Sequence, residues 1–288
     1  MRDPRDPGDP HDPHGGNGGQ EPGGRFVRGT LADPDRVLIW DLDGTIADTR
    51  SDIATGVLEM LHELGRPPLD LAQVIRNVGR GVHVLVAGCL ADTGRPARDA
   101  TEIEHGVEVF RAHYWRHLMD TTVPYPGMPE ILRDLATRGR LMAIVSNKPQ
   151  DATREILRRM ELLNCFAVVL GGDSLPTRKP DPAPLLHALR LCLAMAPDGP
   201  WLVPGKWVGR HAADSAGGHA DADDSLRELA PDHAAMIGDS LPDVQAARAA
   251  GMPVCGVAWG FDPDGEMRRV TLDWWFESVE ELGRAVRG

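Results

Sequence analysis

Two aspartates two positions apart, Asp41 and Asp43, follow the apolar run Val37-Leu38-Ile39-Trp40 in the stretch Asp41-Leu42-Asp43-Gly44-Thr45. Gly44 opens a turn there, so both carboxylates can enter one pocket with separate roles. The first is placed to attack as a nucleophile and the second to act as acid and then base. Asp239 and Asp243, in Gly238-Asp239-Ser240-Leu241-Pro242-Asp243, stand where another apolar run gives way to a helical pattern. With Asp41 they supply the hard oxygens that Mg²⁺ prefers. Ser146 and Asn147 follow a third run, and Lys179 offers one ammonium. Together with backbone N–H groups at loop and helix starts, these can cradle an anion. The set suits a phosphate monoester, whose oxygens repel a nucleophile unless charge is neutralised, the attack aligned and the leaving alkoxide protonated. Of the 31 basic residues only Lys148, Lys179 and Lys206 are lysines. Two of these three lie in or beside the loops just named, which suggests that a compact point charge is required there.

The loops need strands that end together. Apolar runs Leu141 to Val145, Phe166 to Leu170, Ala234 to Ile237 and Val254 to Ala258 each end in polar or glycine-rich loops, with helical patterns over about 128–138, 149–160, 181–194 and 241–250 between them. Such alternation predicts an α/β fold: a Rossmann-like parallel sheet with helices on both faces and its ligand at the C-terminal strand ends. Trp274-Trp275-Phe276 reads as a final strand. Residues 50–122 break the alternation, with helical spacing at Ile53, Val57, Leu58, Leu61 and Leu64 and again at Val82, Leu85, Val86 and Leu90. They are expected to be a helical insertion, a cap over a core of residues 31–49 and 123–288. Pro124-Tyr125-Pro126-Gly127 marks the return to the core. Residues 1–30, with their Asp-Pro steps and glycine cluster, are expected to be a disordered tail, and 197–231 a flexible insertion.

Composition narrows the partners. A net charge of -12 argues against nucleic acid, which calls for clustered Lys and Arg. No apolar run approaches the roughly 20 residues of a membrane span, and no positive segment followed by an apolar stretch marks a secretory leader. A cytoplasmic location, a small-molecule phosphate ester as partner, and a monomer or homodimer are the expectations. Cys89, Cys165, Cys192 and Cys255 lack the paired spacing of a metal or redox site and read as buried thiols.

In order along the chain, Asp-x-Asp-Gly-Thr, Ser-Asn-Lys, Lys-Pro-Asp-Pro and Gly-Asp-Ser-x-x-Asp resemble the haloacid dehalogenase superfamily over about residues 36–286. The resemblance implies Asp41 as nucleophile and Asp43 as acid/base with its backbone carbonyl on Mg²⁺. It further implies Ser146 and Asn147 on the phosphoryl group, Lys179 orienting the nucleophile, Asp239 as the third protein ligand of the metal, and Asp243 in support of the ion or of Lys179. The insertion resembles a C1-type cap. Asn77-Val78-Gly79-Arg80-Gly81, Tyr125-Pro126-Gly127 and the segment Gly172 to Pro180 are similar to phosphoglycolate phosphatases. That implies hydrolysis of 2-phosphoglycolate, with Arg80 of the cap as partner of the carboxylate. Asp43 argues against a dehalogenase, and the lack of lysine in 50–122 argues against a phosphonate hydrolase. A β-phosphoglucomutase-like sugar-phosphate mutase, another sugar-phosphate phosphatase and, from a different class, a non-catalytic regulatory protein that binds phosphometabolites remain the alternatives.

Overall fold

The computed structural model describes residues 30–195 and 231–288. Apart from Thr30 and Pro231, the expected tail over 1–30 and insertion over 197–231 lie outside the described residues. In chain order the strands are β1 (Val37–Trp40), β2 (Ala47–Asp48), β3 (Val123–Pro124), β4 (Met142–Val145), β5 (Val168–Leu170), β6 (Ala234–Gly238), β7 (Val254–Val257) and β8 (Trp274–Phe276). Six of them form one sheet in the order β5-β4-β1-β6-β7-β8, with every neighbouring pair parallel. Trp40 of β1 lies beside Ile144 of β4 and Ile237 of β6. The three strands therefore end in step, and the loops beginning at Asp41, Ser146 and Asp239 leave the same edge.

Side chains that alternate along these strands are apolar on both faces, as a doubly covered parallel sheet requires. Val37 and Ile39 pack with Val145, Met236 and Val254 beneath α7 (Ala183–Met195) and α8 (Leu241–Ala250). Leu38 and Trp40 pack with Met142, Ile144, Ile237 and Val257 on the other face, against residues of α5 (Met128–Thr137), α6 (Gln150–Arg159) and α9 (Val279–Arg287). The run from Phe166 becomes a strand only from Val168, because a 3₁₀ turn over Leu163–Cys165 occupies its approach. All four cysteines are buried and unpaired. Among the described residues, no helix is long and apolar enough to cross a membrane.

Between β2 and β3 run α1 (Arg50–Glu63), α2 (Leu71–Ile75), α3 (Val82–Asp92) and α4 (Ala100–Arg116), the inserted helical cap. Ile53, Val57, Met60 and Leu61 of α1 share a core cluster with Val107, Phe110 and Tyr114 of α4. Short antiparallel pairing of β2 with β3 joins the two crossings between cap and core, a feature that residue patterning did not predict because two residues carry no period. Asp52 fastens the same place. Its buried carboxylate accepts from Thr121 N at 3.0 Å, Thr121 Oγ1 at 2.6 Å and Thr122 N at 2.8 Å, so the first turn of α1 is tied to the chain leaving α4.

Candidate active site

Three buried carboxylates meet where the strands end. Asp41, Asp239 and Asp243 each bring one oxygen within 4.8 Å of the others. Asp41 follows β1 directly and Asp239 follows β6, so strand register sets their spacing. Asp243 lies in the first turn of α8, where its Oδ2 accepts from Ser240 N at 3.1 Å and Ser240 Oγ at 2.7 Å. Asp239 is fixed through both oxygens: Thr45 Oγ1 donates to Oδ1 at 3.0 Å and Phe261 N to Oδ2 at 2.6 Å. Gly44 is required beside it. Its φ is +80°, and a Cβ there would stand 2.1 Å from Asp239 Oδ2. A Cβ on Gly238 would likewise stand 2.4 Å from Asp243 Cγ.

Two ammonium groups are set among the acids. Lys179, 2% exposed, places Nζ 2.6 Å from Asp243 Oδ1 and 3.0 Å from Asp41 Oδ1. Lys148, also buried, places Nζ 3.1 Å from Asp43 Oδ1 and donates to the Tyr114 hydroxyl at 2.8 Å. Thr49 Oγ1 donates to the same Asp43 oxygen at 2.7 Å. Burial opposes the charge on both lysines, yet Asp243 and Asp41 hold Lys179 above its ordinary value, and Asp43 and Tyr114 do the same for Lys148. Burial raises the Asp41 carboxyl to about 7 against the opposing pull of Lys179, with Asp243 and Asp43 adding to the rise. Burial, then Asp41 and Asp243, push Asp239 well above the usual carboxylate range.

Burial is the largest cause of both carboxyl rises, and the neighbouring acids add to it. Asp41, Asp239 and Asp243 face one ammonium group, that of Lys179, which leaves the charge of one divalent cation uncompensated in a setting where an unpaired buried ion costs several kcal/mol. Asp41 Oδ1 is buried, with the Lys179 ammonium 3.0 Å away. An all-oxygen donor set of three buried carboxylates fits a hard divalent cation.

A cavity of ≈ 400 Å³ opens above the cluster. Asp41, Asp43, Ser146, Asn147, Lys148, Asp239, Ser240 and Phe261 line its core side, and Val78, Val82, Leu85, Phe110, Tyr114 and Trp115 are on its cap side. Of the residues singled out in the sequence, Asp41, Asp43, Ser146, Asn147 and Asp239 line this cavity, while Lys179 and Asp243 are buried in contact with the acids and Gly44 and Thr45 are buried next to them. Asn147 is engaged otherwise than expected: its Nδ2 donates to Gly79 O of the cap and to Lys179 O, both at 2.8 Å, so the side chain ties three loops together. Arg80 is exposed and is not among the cavity-lining residues, although Gly79 and Gly81 on either side are. The cap arginine that does line the cavity is Arg111 of α4, whose Nη2 is 3.5 Å from Asp173.

Residue type and spacing mark Lys148 only as a point charge beside these loops, and give no partner for Tyr114 and no role for Thr49 or the backbone of Phe261. The Ser-Asn-Lys run and the scarcity of lysine were the available signals for Lys148. No local pattern announces an N–H donor such as Phe261.

Comparison with known proteins follows the same lines. The family model for haloacid dehalogenase-like hydrolases matches residues 38–199, and a second, HAD-hydrolase-like model matches residues 177–282. A phosphoglycolate phosphatase of Nitrosospira multiformis is 32% identical over 254 residues, covering 88% of this chain and 96% of that protein. One from Pseudomonas putida is 35% identical over 236 residues, covering 81% and 72%. Among solved structures, a predicted phosphoglycolate phosphatase of Haemophilus somnus aligns with a TM-score of 0.69 at 24% identity over 86% of this chain and 96% of that one, a likeness of fold.

Proposed function

The chain belongs to the haloacid dehalogenase-like hydrolases, and on that premise we propose that it hydrolyses 2-phosphoglycolate to glycolate and phosphate through an aspartyl-phosphate on Asp41. The observation that carries this reading is the buried cluster of Asp41, Asp239 and Asp243, with Lys179 between two of its members, on the floor of a cavity closed by the cap. The phosphoglycolate phosphatases among its relatives support the choice of ester.

Asp41, Asp239 and the backbone carbonyl of Asp43 would hold Mg²⁺, with Asp243 in support. The bound ion supplies neutralisation of the carboxylates and of the phosphoryl oxygens that they would otherwise repel. Lys179 orients the Asp41 carboxylate and offers charge to the same oxygens. Asp41 attacks phosphorus; the Asp41 O–P bond forms as the ester P–O bond breaks, and Asp43 delivers its proton to the departing oxygen. In the second half Asp43 takes a proton from water as the water attacks phosphorus, and the Asp41 O–P bond breaks. Thr49 and Lys148 hold the Asp43 carboxylate where both transfers can occur. Ser146 contributes a buried hydroxyl at the cavity wall for the phosphoryl group, and Asn147 fixes the loop that presents it.

Asp41→Asn tests the reading. The variant keeps its fold by circular dichroism and loses at least about 10⁴-fold in turnover of 2-phosphoglycolate with Mg²⁺ present, since no other side chain supplies the nucleophile. Turnover near that of the parent protein would refute it.

A further inference from the structure

The geometry points to Lys148 and Tyr114 as a carboxylate-binding subsite that selects short phosphorylated 2-hydroxy acids over neutral esters. This rests on the phosphatase reading and adds to it the residues that recognise the organic end of the substrate. A lysine ammonium has three N–H donors. Lys148 has two hydrogen-bond acceptors for them, Asp43 Oδ1 at 3.1 Å and the Tyr114 hydroxyl at 2.8 Å, stands 4.7 Å from the Tyr114 ring centroid, and takes no other hydrogen-bond acceptor among the described residues. The Tyr114 hydroxyl accepts that bond and keeps its own hydrogen to give, again with no acceptor among the described residues. Both side chains are more than nine-tenths buried, and both line the cavity. Two donors thus remain, side by side, in a place where leaving polar groups unmatched is costly.

Position decides what they bind. Asp43 serves the bridging oxygen of the ester, so the organic part of the substrate departs past Asp43, and Lys148 is the next group along. In a phosphorylated 2-hydroxy acid the carboxyl carbon lies two bonds beyond that bridging oxygen. One carboxylate oxygen can meet the Lys148 ammonium and the other the Tyr114 hydroxyl. A hexose phosphate would need matching donors and acceptors deeper under the cap, but Ile53, Val78, Val82, Leu85 and Phe110 line the cavity there. Arg80 is exposed, and Arg111 is at the rim, half-exposed and facing Asp173. Neither is buried beside Asp43 as Lys148 is.

Tyr114 can lose its hydroxyl alone. Its ring stacks on Phe110 with centroids 5.3 Å apart, and phenylalanine preserves that packing. The test compares kcat/KM for 2-phosphoglycolate and for 2-hydroxyethyl phosphate, of equal chain length but without the carboxylate, in the parent protein, Tyr114→Phe and Lys148→Met. The parent protein is expected to prefer the carboxylate ester. Tyr114→Phe reduces that preference about tenfold, chiefly through KM, and Lys148→Met reduces it further, because hydrogen bonds to charged groups are at the strong end of the range. Lys148→Met also slows both esters through Asp43, so the ratio is the readout. If the parent protein prefers the carboxylate ester and both variants keep that preference, the subsite is overturned while the substrate reading stands. If the parent protein shows no preference, the substrate reading falls and takes the subsite with it.

Discussion

The core side of the cavity is built from charge, the cap side largely from carbon. Asp239 has donors on both oxygens, Asp243 has three donors, and Lys179 touches two acids, so each charged group of the core is held by another element of the fold. Across the gap, Val78, Val82, Leu85 and Phe110 offer only contact area, and Tyr114, Arg111 and Trp115 are the cap residues there that carry a polar group. The core side can therefore carry a reaction common to many esters, while the cap side decides which ester fits. The two meet at Lys148, which touches the acid of the core and the tyrosine of the cap.

This contrast predicts a graded series of effects. Asp43→Asn acts on the reaction and should cost about 100-fold or more with 2-phosphoglycolate, within the usual range for general acid–base catalysis. Its cost should be several-fold smaller with p-nitrophenyl phosphate, whose leaving group needs no proton. Equal losses on both esters, measured as kcat/KM, which reports transfer to Asp41 and not the shared hydrolysis of the aspartyl-phosphate, would take the acid role from Asp43.

The charge excess gives a second, smaller effect. Because the native Asp41 carboxyl titrates near 7 rather than at its ordinary 3.8, the cation-free protein binds more protons than its unfolded chain between those values. Its stability therefore falls as pH rises through that window. A divalent cation displaces those protons, so its stabilisation grows with pH. At saturating Mg²⁺ the melting temperature should rise by roughly 5 °C at pH 8 and by less at pH 5.5, as follows from ligand linkage. A shift that is larger at pH 5.5 would contradict the placement of the cation among these carboxylates.

The smallest effect belongs to the cap surface. Arg80→Ala should change KM for 2-phosphoglycolate by less than about twofold, because an exposed side chain away from the cavity wall has little to lose. A tenfold rise in KM confined to that ester would return Arg80 to recognition and blur the division between the two sides.

The same contrast explains what could be read from the residues alone. The parallel sheet and its strand-end loops were legible because apolar runs and the polar residues after them are adjacent in the chain: Trp40 leads straight to Asp41 and Gly238 to Asp239. Cap contacts were not, because they arise between segments far apart. Tyr114 meets Lys148 across 34 positions, and within the core Phe261 N meets Asp239 across 22, equally out of local reach. Arg80 was expected at the substrate carboxylate from the resemblance of its stretch to phosphoglycolate phosphatases, yet in the folded chain the flanking glycines line the cavity and the arginine is exposed. Asn147 was expected to donate to a phosphoryl group, but both bonds of its amide nitrogen go to backbone carbonyls, a use that residue type alone does not announce.

The central claim is a covalent bond between Asp41 and phosphorus. Enzyme mixed with 2-phosphoglycolate and Mg²⁺, quenched in acid within one turnover and reduced with borohydride, should yield homoserine at position 41 in a peptide digest, because the hydride reduces an acyl phosphate and leaves a free carboxylate alone. The account predicts that product only when substrate is present. Turnover with position 41 recovered as unmodified aspartate, or with homoserine at another aspartate, would contradict it.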